Sequence, residues 1–117
     1  TGTIRRHPDI GYLKSLKDIE GLCSIQERLL DHAAKILTVG GTLIYCTCSL
    51  QKSEGEYQVA AFLKAHPNYR RAPIIANEIG DYGELINEQG DLRILPYHLA
   101  EHGGLDGFFV SRLTRTA

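Results

Sequence analysis

No stretch of this 117-residue chain approaches the ~20 consecutive apolar positions that a membrane-spanning helix needs. Cysteine is scarce. Cys23, Cys46 and Cys48 make an odd number without framework spacing, which excludes a secreted disulfide scaffold and favours a reducing cytoplasm. An excess of one charge is also missing: 13 Lys and Arg stand against 14 Asp and Glu, for a net charge of −1. A free-standing nucleic-acid binder working through bulk positive charge is thereby excluded, and any RNA contact has to come from a local patch. Metal ligation lacks its spacing too. Cys46-x-Cys48 is half a zinc site with no second pair, and His7, His32, His66, His98 and His102 are scattered, so no metal is expected. No repeat, low-complexity tract or targeting segment is recognisable. The chain opens at Thr1 without an initiator methionine and reads as a piece of something larger.

What is present suits one small α/β domain. A hydrophobic fraction of 43% is too high for disorder and enough for a core that needs no staple. Thr1 to Asp9 is polar and basic, and Pro8 disfavours helix at His7, so this stretch reads as a loop. Ile19, Leu22, Ile25 (or Gln26), Leu29, Ala33 and Ile36 recur at three- and four-residue steps, predicting a helix over Leu16 to Leu37 with one apolar stripe. Ser24 and Glu27 offer a capping box only if that helix breaks. Val39-Gly40-Gly41 stops it. The run Thr42 to Thr47, β-branched, aromatic and nearly continuous in hydrophobicity, predicts a strand buried on both faces. Ser53-x-x-Glu56 is a second capping-box signature, opening a helix that ends near Ala65 before Pro67. Tyr69 to Ile75 is a weaker strand, demoted by Pro73. Asp81 to Ile94 reads as a polar hairpin around Gln89-Gly90, and Phe108 to Leu113 as the last strand after a glycine-marked loop. Alternating helix and strand give the α/β class.

In open α/β sheets ligands bind beyond the carboxyl ends of strands. The strand Thr42 to Thr47 delivers Cys48-Ser49 to that place. A thiol there is either a nucleophile, favoured as thiolate by Lys52 and the helix from Ser53, or a small buried packing residue, as free cysteines commonly are. Cys46 inside the strand and Cys23 on the helix read as packing residues. A redox pair of Cys46 and Cys48 is a third option with no partner system in view. Arg5, Arg6 and His7 suit phosphate oxygens, with solvated loop charges as the alternative. Arg70, Arg71, Lys14 and Lys17 read as ordinary surface charge. Asp106-Gly107 reads as a turn feeding Phe108 and Phe109 into the core, and His98 and His102 receive no role.

Three blocks, in order, carry a family resemblance. Thr47-Cys48-Ser49, closing the run from Gly40 to Cys46, resembles the nucleophile strand of the Nop2/Sun family of RNA cytosine-5 methyltransferases. Thr1 to Asp9 resembles the segment after that family's other cysteine motif. Arg93 to His98, followed by Gly104 to Phe109, resembles its C-terminal end. The resemblance implies S-adenosylmethionine as methyl donor, RNA of the small ribosomal subunit as substrate, and Cys48 as the thiolate that adds to carbon 6 of cytosine so that carbon 5 becomes nucleophilic. It also brings Arg5, Arg6 and His7 to the border of the active site, towards RNA.

The chain departs from the family pattern as well. The second cysteine and its acidic partner belong to a motif that would end just before Thr1, and no G-x-G-x-x-G-like run follows any strand. Residues 1–117 are therefore expected to be the C-terminal half of a Rossmann-like S-adenosylmethionine-dependent methyltransferase domain, with a mostly parallel sheet and an antiparallel last strand. Alone, the fragment is expected to be inactive. A half-domain also exposes a strand edge and apolar surface, so a dimer or swapped assembly is expected. The rival reading is a non-catalytic α/β module that binds RNA or a protein.

Overall fold

The 3.6-residue periodicity after Leu16 is realised as α1, Leu16–Ile36, which runs unbroken through Gly21 and leaves the Ser24/Glu27 capping box unused. The computed structural model describes residues 16–95 and 107–117, the first five as backbone only. Arg5, Arg6, His7, His98, His102, Asp106, Lys14 and the Lys17 side chain lie outside the described residues. Beyond α1 the chain turns at Gly40, whose φ of 84° lies in the left-handed region that glycine enters without steric cost. The Gly40 N–H donates to the Arg115 carbonyl at 2.8 Å, tying this turn to the far end of the chain. Strand β1, Thr42–Thr47, follows with the expected bounds.

The capping box at Ser53 is not formed. Lys52–Glu54 makes a short 3-10 turn, and α2 runs Glu56–Ala65 without a side-chain cap. Glu56 instead turns its carboxylate to Arg93, because a charge-assisted pair with guanidinium outcompetes a neutral capping bond. Strand β2 is only Tyr69–Arg71, since Pro73 cannot donate to the ladder. The predicted hairpin is also incomplete. Gly83–Leu85 is a 3-10 turn, a single bridge joins Ile86 to Leu92, and β3 (Leu92–Ile94) pairs elsewhere. The partner of β3 is β4, Phe108–Arg115, which extends past the predicted end.

Strand β4 is the shared partner of the whole sheet. One edge pairs with β1 from Thr42↔Thr114 to Thr47↔Phe109. The other edge takes β2 at Arg71↔Leu113 and β3 at Arg93↔Phe109. The α/β class and the antiparallel last strand are as expected. Every described ladder is antiparallel, because β4 lies between β1 and β2 and separates the strands that share a direction.

Leu30 and Ala34 of α1, Val59 and Phe62 of α2, and Tyr69, Phe109 and Leu113 of the sheet form the buried cluster. The Tyr69 hydroxyl donates to the Ala34 carbonyl at 2.9 Å, fastening α1 to β2. Two expectations are corrected here. Strand β1 is not buried on both faces: Leu43 and Tyr45 pack inward, while Thr42, Ile44 and Cys46 are exposed. The predicted apolar stripe of α1 is not its packing face either. Leu22, Ile25, Leu29 and Ile36 are exposed, and Leu30 and Ala34 carry the contact instead. No described residue covers that stripe. Arg71 is likewise no ordinary surface charge. Its Nε lies 3.3 Å from Asp91, a carboxylate 1% exposed that also accepts from Ser111 Oγ at 2.6 Å. Of the two phenylalanines only Phe109 is fully buried; Phe108 is intermediate.

Candidate active site

Cys48 is the first residue past β1, and its side chain is exposed. Among the described residues it takes part in no hydrogen bond or ion pair. Ser49, next in sequence, is 4% exposed and held on every polar atom. Its N–H donates to Thr47 Oγ1 at 3.3 Å, and its carbonyl accepts from Arg93 Nη1 at 2.5 Å. Its Oγ accepts from the Gln51 N–H at 3.0 Å and donates to the carboxylate of Glu54.

Glu54 is itself 4% exposed. Gln26 Nε2 of α1 donates to its other carboxylate oxygen at 3.3 Å, and the Tyr45 hydroxyl donates to its backbone carbonyl. Burial above all, then the neighbouring Glu54 carboxylate and the Cys23 and Cys46 thiols, push the Tyr45 pKa well above the ordinary tyrosine value, so this hydroxyl stays a donor. Around the 3-10 turn, Cys23 Sγ donates to the Ser53 carbonyl at 3.4 Å and Gln58 Nε2 to the Cys23 carbonyl at 2.6 Å. Helix α1 is thus latched to the loop that carries Cys48.

Arg93 closes the site from β3. Besides the Ser49 carbonyl it holds both carboxylate oxygens of Glu56, and its guanidinium lies over the Phe109 ring at 4.9 Å. Gly55 leaves just enough room. A Cβ there would stand 2.7 Å from Arg93 Nη2 and 3.0 Å from the Phe109 ring. Gly55→Ala is therefore expected to push Arg93 off the Ser49 carbonyl and to cost about 1–3 kcal/mol, as overpacking does. Urea unfolding checks this, and an unchanged midpoint would show that the site has slack.

Of the residues singled out by sequence, the structure places Cys48 at the strand end as expected. Cys46 is exposed on the outer face of β1 and is not a buried packing residue, because nothing described covers that face. Cys23 is half-buried and hydrogen-bonded. Arg5, Arg6 and His7 lie outside the described residues. Among the described residues no group of three His, Cys, Asp or Glu side chains fits a metal ion, and no helix is long and apolar enough to cross a membrane. Sequence reasoning missed Glu54 and the role of Arg93. No local spacing rule joins Ser49 to an arginine 44 positions later.

A groove of about 310 Å³ runs along β1 on the side away from β4. Leu29, Leu30, Ala33, Leu43 and Ile44 line it with Gln26, and it holds no carboxylate. Among the described residues none lining the groove supplies the acidic side chain that takes a cofactor ribose in open α/β sheets.

The family model described as 16S rRNA methyltransferase RsmB/F matches residues 1–114. Ribosomal RNA small subunit methyltransferase B of Thermus thermophilus is 35% identical over 121 residues, covering 98% of this chain and 26% of its own length. Among solved structures, PH0851 superposes with a TM-score of 0.80 at 28% identity, over 97% of this chain and 24% of that one. A methyltransferase homolog protein from Pyrococcus horikoshii superposes with a TM-score of 0.67 at 25% identity, over 87% of this chain and 33% of that one. The chain thus spans about a quarter of the length of the curated relatives it matches.

Proposed function

The chain belongs to the 16S rRNA methyltransferase RsmB/F family, and from that premise we propose that it is the nucleophile-bearing portion of an enzyme that methylates carbon 5 of cytosine in small-subunit ribosomal RNA. The observation that carries the reading is Cys48: an exposed thiol at the carboxyl end of a strand, on a backbone held rigid by its neighbour. Its thiolate adds to carbon 6 and the double-bond electrons make carbon 5 nucleophilic; once carbon 5 carries the new methyl group, loss of its proton re-forms the double bond and expels the thiolate. The donor for the whole protein is S-adenosylmethionine. The described residues lining the groove offer no carboxylate for its ribose, and no step assigned to this chain runs through it.

Residues 1–117 are, in this proposal, the C-terminal portion of one methyltransferase catalytic domain. Supporting this are the apolar groove and the edge of β1 that no described strand pairs, a surface suited to further strands of the same sheet. A second copy docking there would give the dimer or swapped assembly. Arg5, Arg6 and His7 are proposed to meet RNA phosphates, and the reaction to take place in the cytoplasm.

RNA carrying 5-fluorocytosine tests the chemistry, because fluorine at carbon 5 blocks the final elimination. The intact protein is expected to form a covalent adduct that peptide mapping places on Cys48. An adduct on another residue, or none, refutes the assignment.

A further inference from the structure

The most unusual group near Cys48 is a buried acid that the proposed chemistry does not use. Desolvating a carboxylate costs several kcal/mol unless strong partners compensate. Glu54 is 4% exposed, yet no arginine or lysine is described against its carboxylate. Arg93, the nearby cation, is engaged by Glu56 instead. The partners Glu54 does have are the Ser49 hydroxyl and the Gln26 amide. An apolar side chain of similar volume would fill the space without the desolvation cost, so the carboxylate is there to accept the Ser49 hydrogen bond.

That bond decides the orientation of a hydroxyl with two tasks. With its hydrogen committed to Glu54, Ser49 Oγ turns a lone pair to the Gln51 N–H, closing the loop on itself. Arg93 clamps the carbonyl of the same residue from the opposite strand, and Phe109 supports Arg93 from below. Every constraint falls on residue 49, while the side chain of residue 48 is left unengaged. A free thiol on an immobilised backbone is what a nucleophile needs, since misplacement by ~1 Å can cost about a hundredfold in rate.

We infer that Glu54, Ser49 and Arg93 are positioning residues that together aim Cys48 at its substrate, with Glu54 setting the Ser49 hydroxyl and Arg93 holding the Ser49 carbonyl. This rests on Cys48 being the nucleophile. The geometry further predicts that the loss on removing these groups falls on the chemical step rather than on binding.

The test uses Ser49→Ala, Glu54→Ala and Glu54→Gln in the intact protein. Ser49→Ala and Glu54→Ala are expected to lower kcat about 10- to 100-fold with KM for RNA changed by less than about twofold. Glu54→Gln keeps an acceptor for the Ser49 hydroxyl and is expected to recover most of the loss. Wild-type kcat in Ser49→Ala, or a loss carried by KM, overturns the inference. Ser49→Ala removes a single oxygen and decides the matter even if Glu54→Ala fails to fold. Amide hydrogen exchange without RNA separates this from the nucleophile assignment. Exchange at Gln51 is expected to rise about tenfold or more in Ser49→Ala while β4 stays protected, and an unchanged Gln51 overturns the positioning role whatever the adduct experiment finds.

Discussion

Cys48→Ala in the intact protein is expected to reduce methyl transfer by at least about a thousandfold while leaving the unfolding midpoint unchanged. The size of the loss follows from the chemistry. Carbon 5 of cytosine is a poor nucleophile until a group adds at carbon 6, and the other exposed thiol, Cys46, lies within β1 rather than past its end. The unchanged stability follows from exposure, since the Cys48 side chain is outside the core and has no described partner to lose. Methyl incorporation into small-subunit RNA, read beside a urea melt, checks both halves. Turnover near the wild-type rate would remove Cys48 from the mechanism. A collapse of stability would move it into the core. Cys46→Ala is the natural companion: the residue is exposed two positions earlier on the outer face of β1, and its loss leaves the Ser49 clamp in place.

Phe109→Ala is expected to destabilise the fold by about 3–5 kcal/mol, the range for deleting a fully buried aromatic. Phe109 is 0% exposed and lies edge-on to Tyr45 at a centroid distance of 6.3 Å. It is paired in register with both Thr47 and Arg93. The substitution opens a cavity, and it also removes the ring on which the Arg93 guanidinium rests. Stability and the clamp on Ser49 are thus expected to fail together. Phe108→Ala, on the opposite face and only half-buried, costs clearly less. Urea unfolding followed by circular dichroism reads the difference. A loss below about 1 kcal/mol for Phe109→Ala would show that the core is not centred on this ring.

Much of the fold is legible in the amino-acid sequence because it is local. The Gly40-Gly41 stop and the β-branched run after it define β1 to the residue, and the three- and four-residue steps define α1. Periodicity says that a helix has an apolar face, not what covers it. That is why the stripe through Leu29 and Ile36 is exposed while Leu30 and Ala34 make the core. The capping signature at Ser53 fails for a similar reason. Arg93, from a strand far along the chain, draws Glu56 away, and no short window contains both. At the candidate site the strand-end cysteine is visible in advance because its place follows from a strand boundary. Glu54 and Arg93 are not, because their meaning arises only when β3 pairs with β4 and brings the guanidinium to the Ser49 carbonyl.

The order of the strands has a consequence for how the chain is made. Strand β4 is the last of the four to leave the ribosome, and β1, β2 and β3 all depend on it for their hydrogen bonds. Until it emerges, three short strands have open edges and the core lacks Phe109 and Leu113. Nascent chains at that stage expose apolar surface, and the sheet closes only through contacts distant in sequence, such as Thr42↔Thr114. The arrival of this one strand joins the other three, and the Ser49 clamp, which needs β3 paired with β4, comes into being in that same moment.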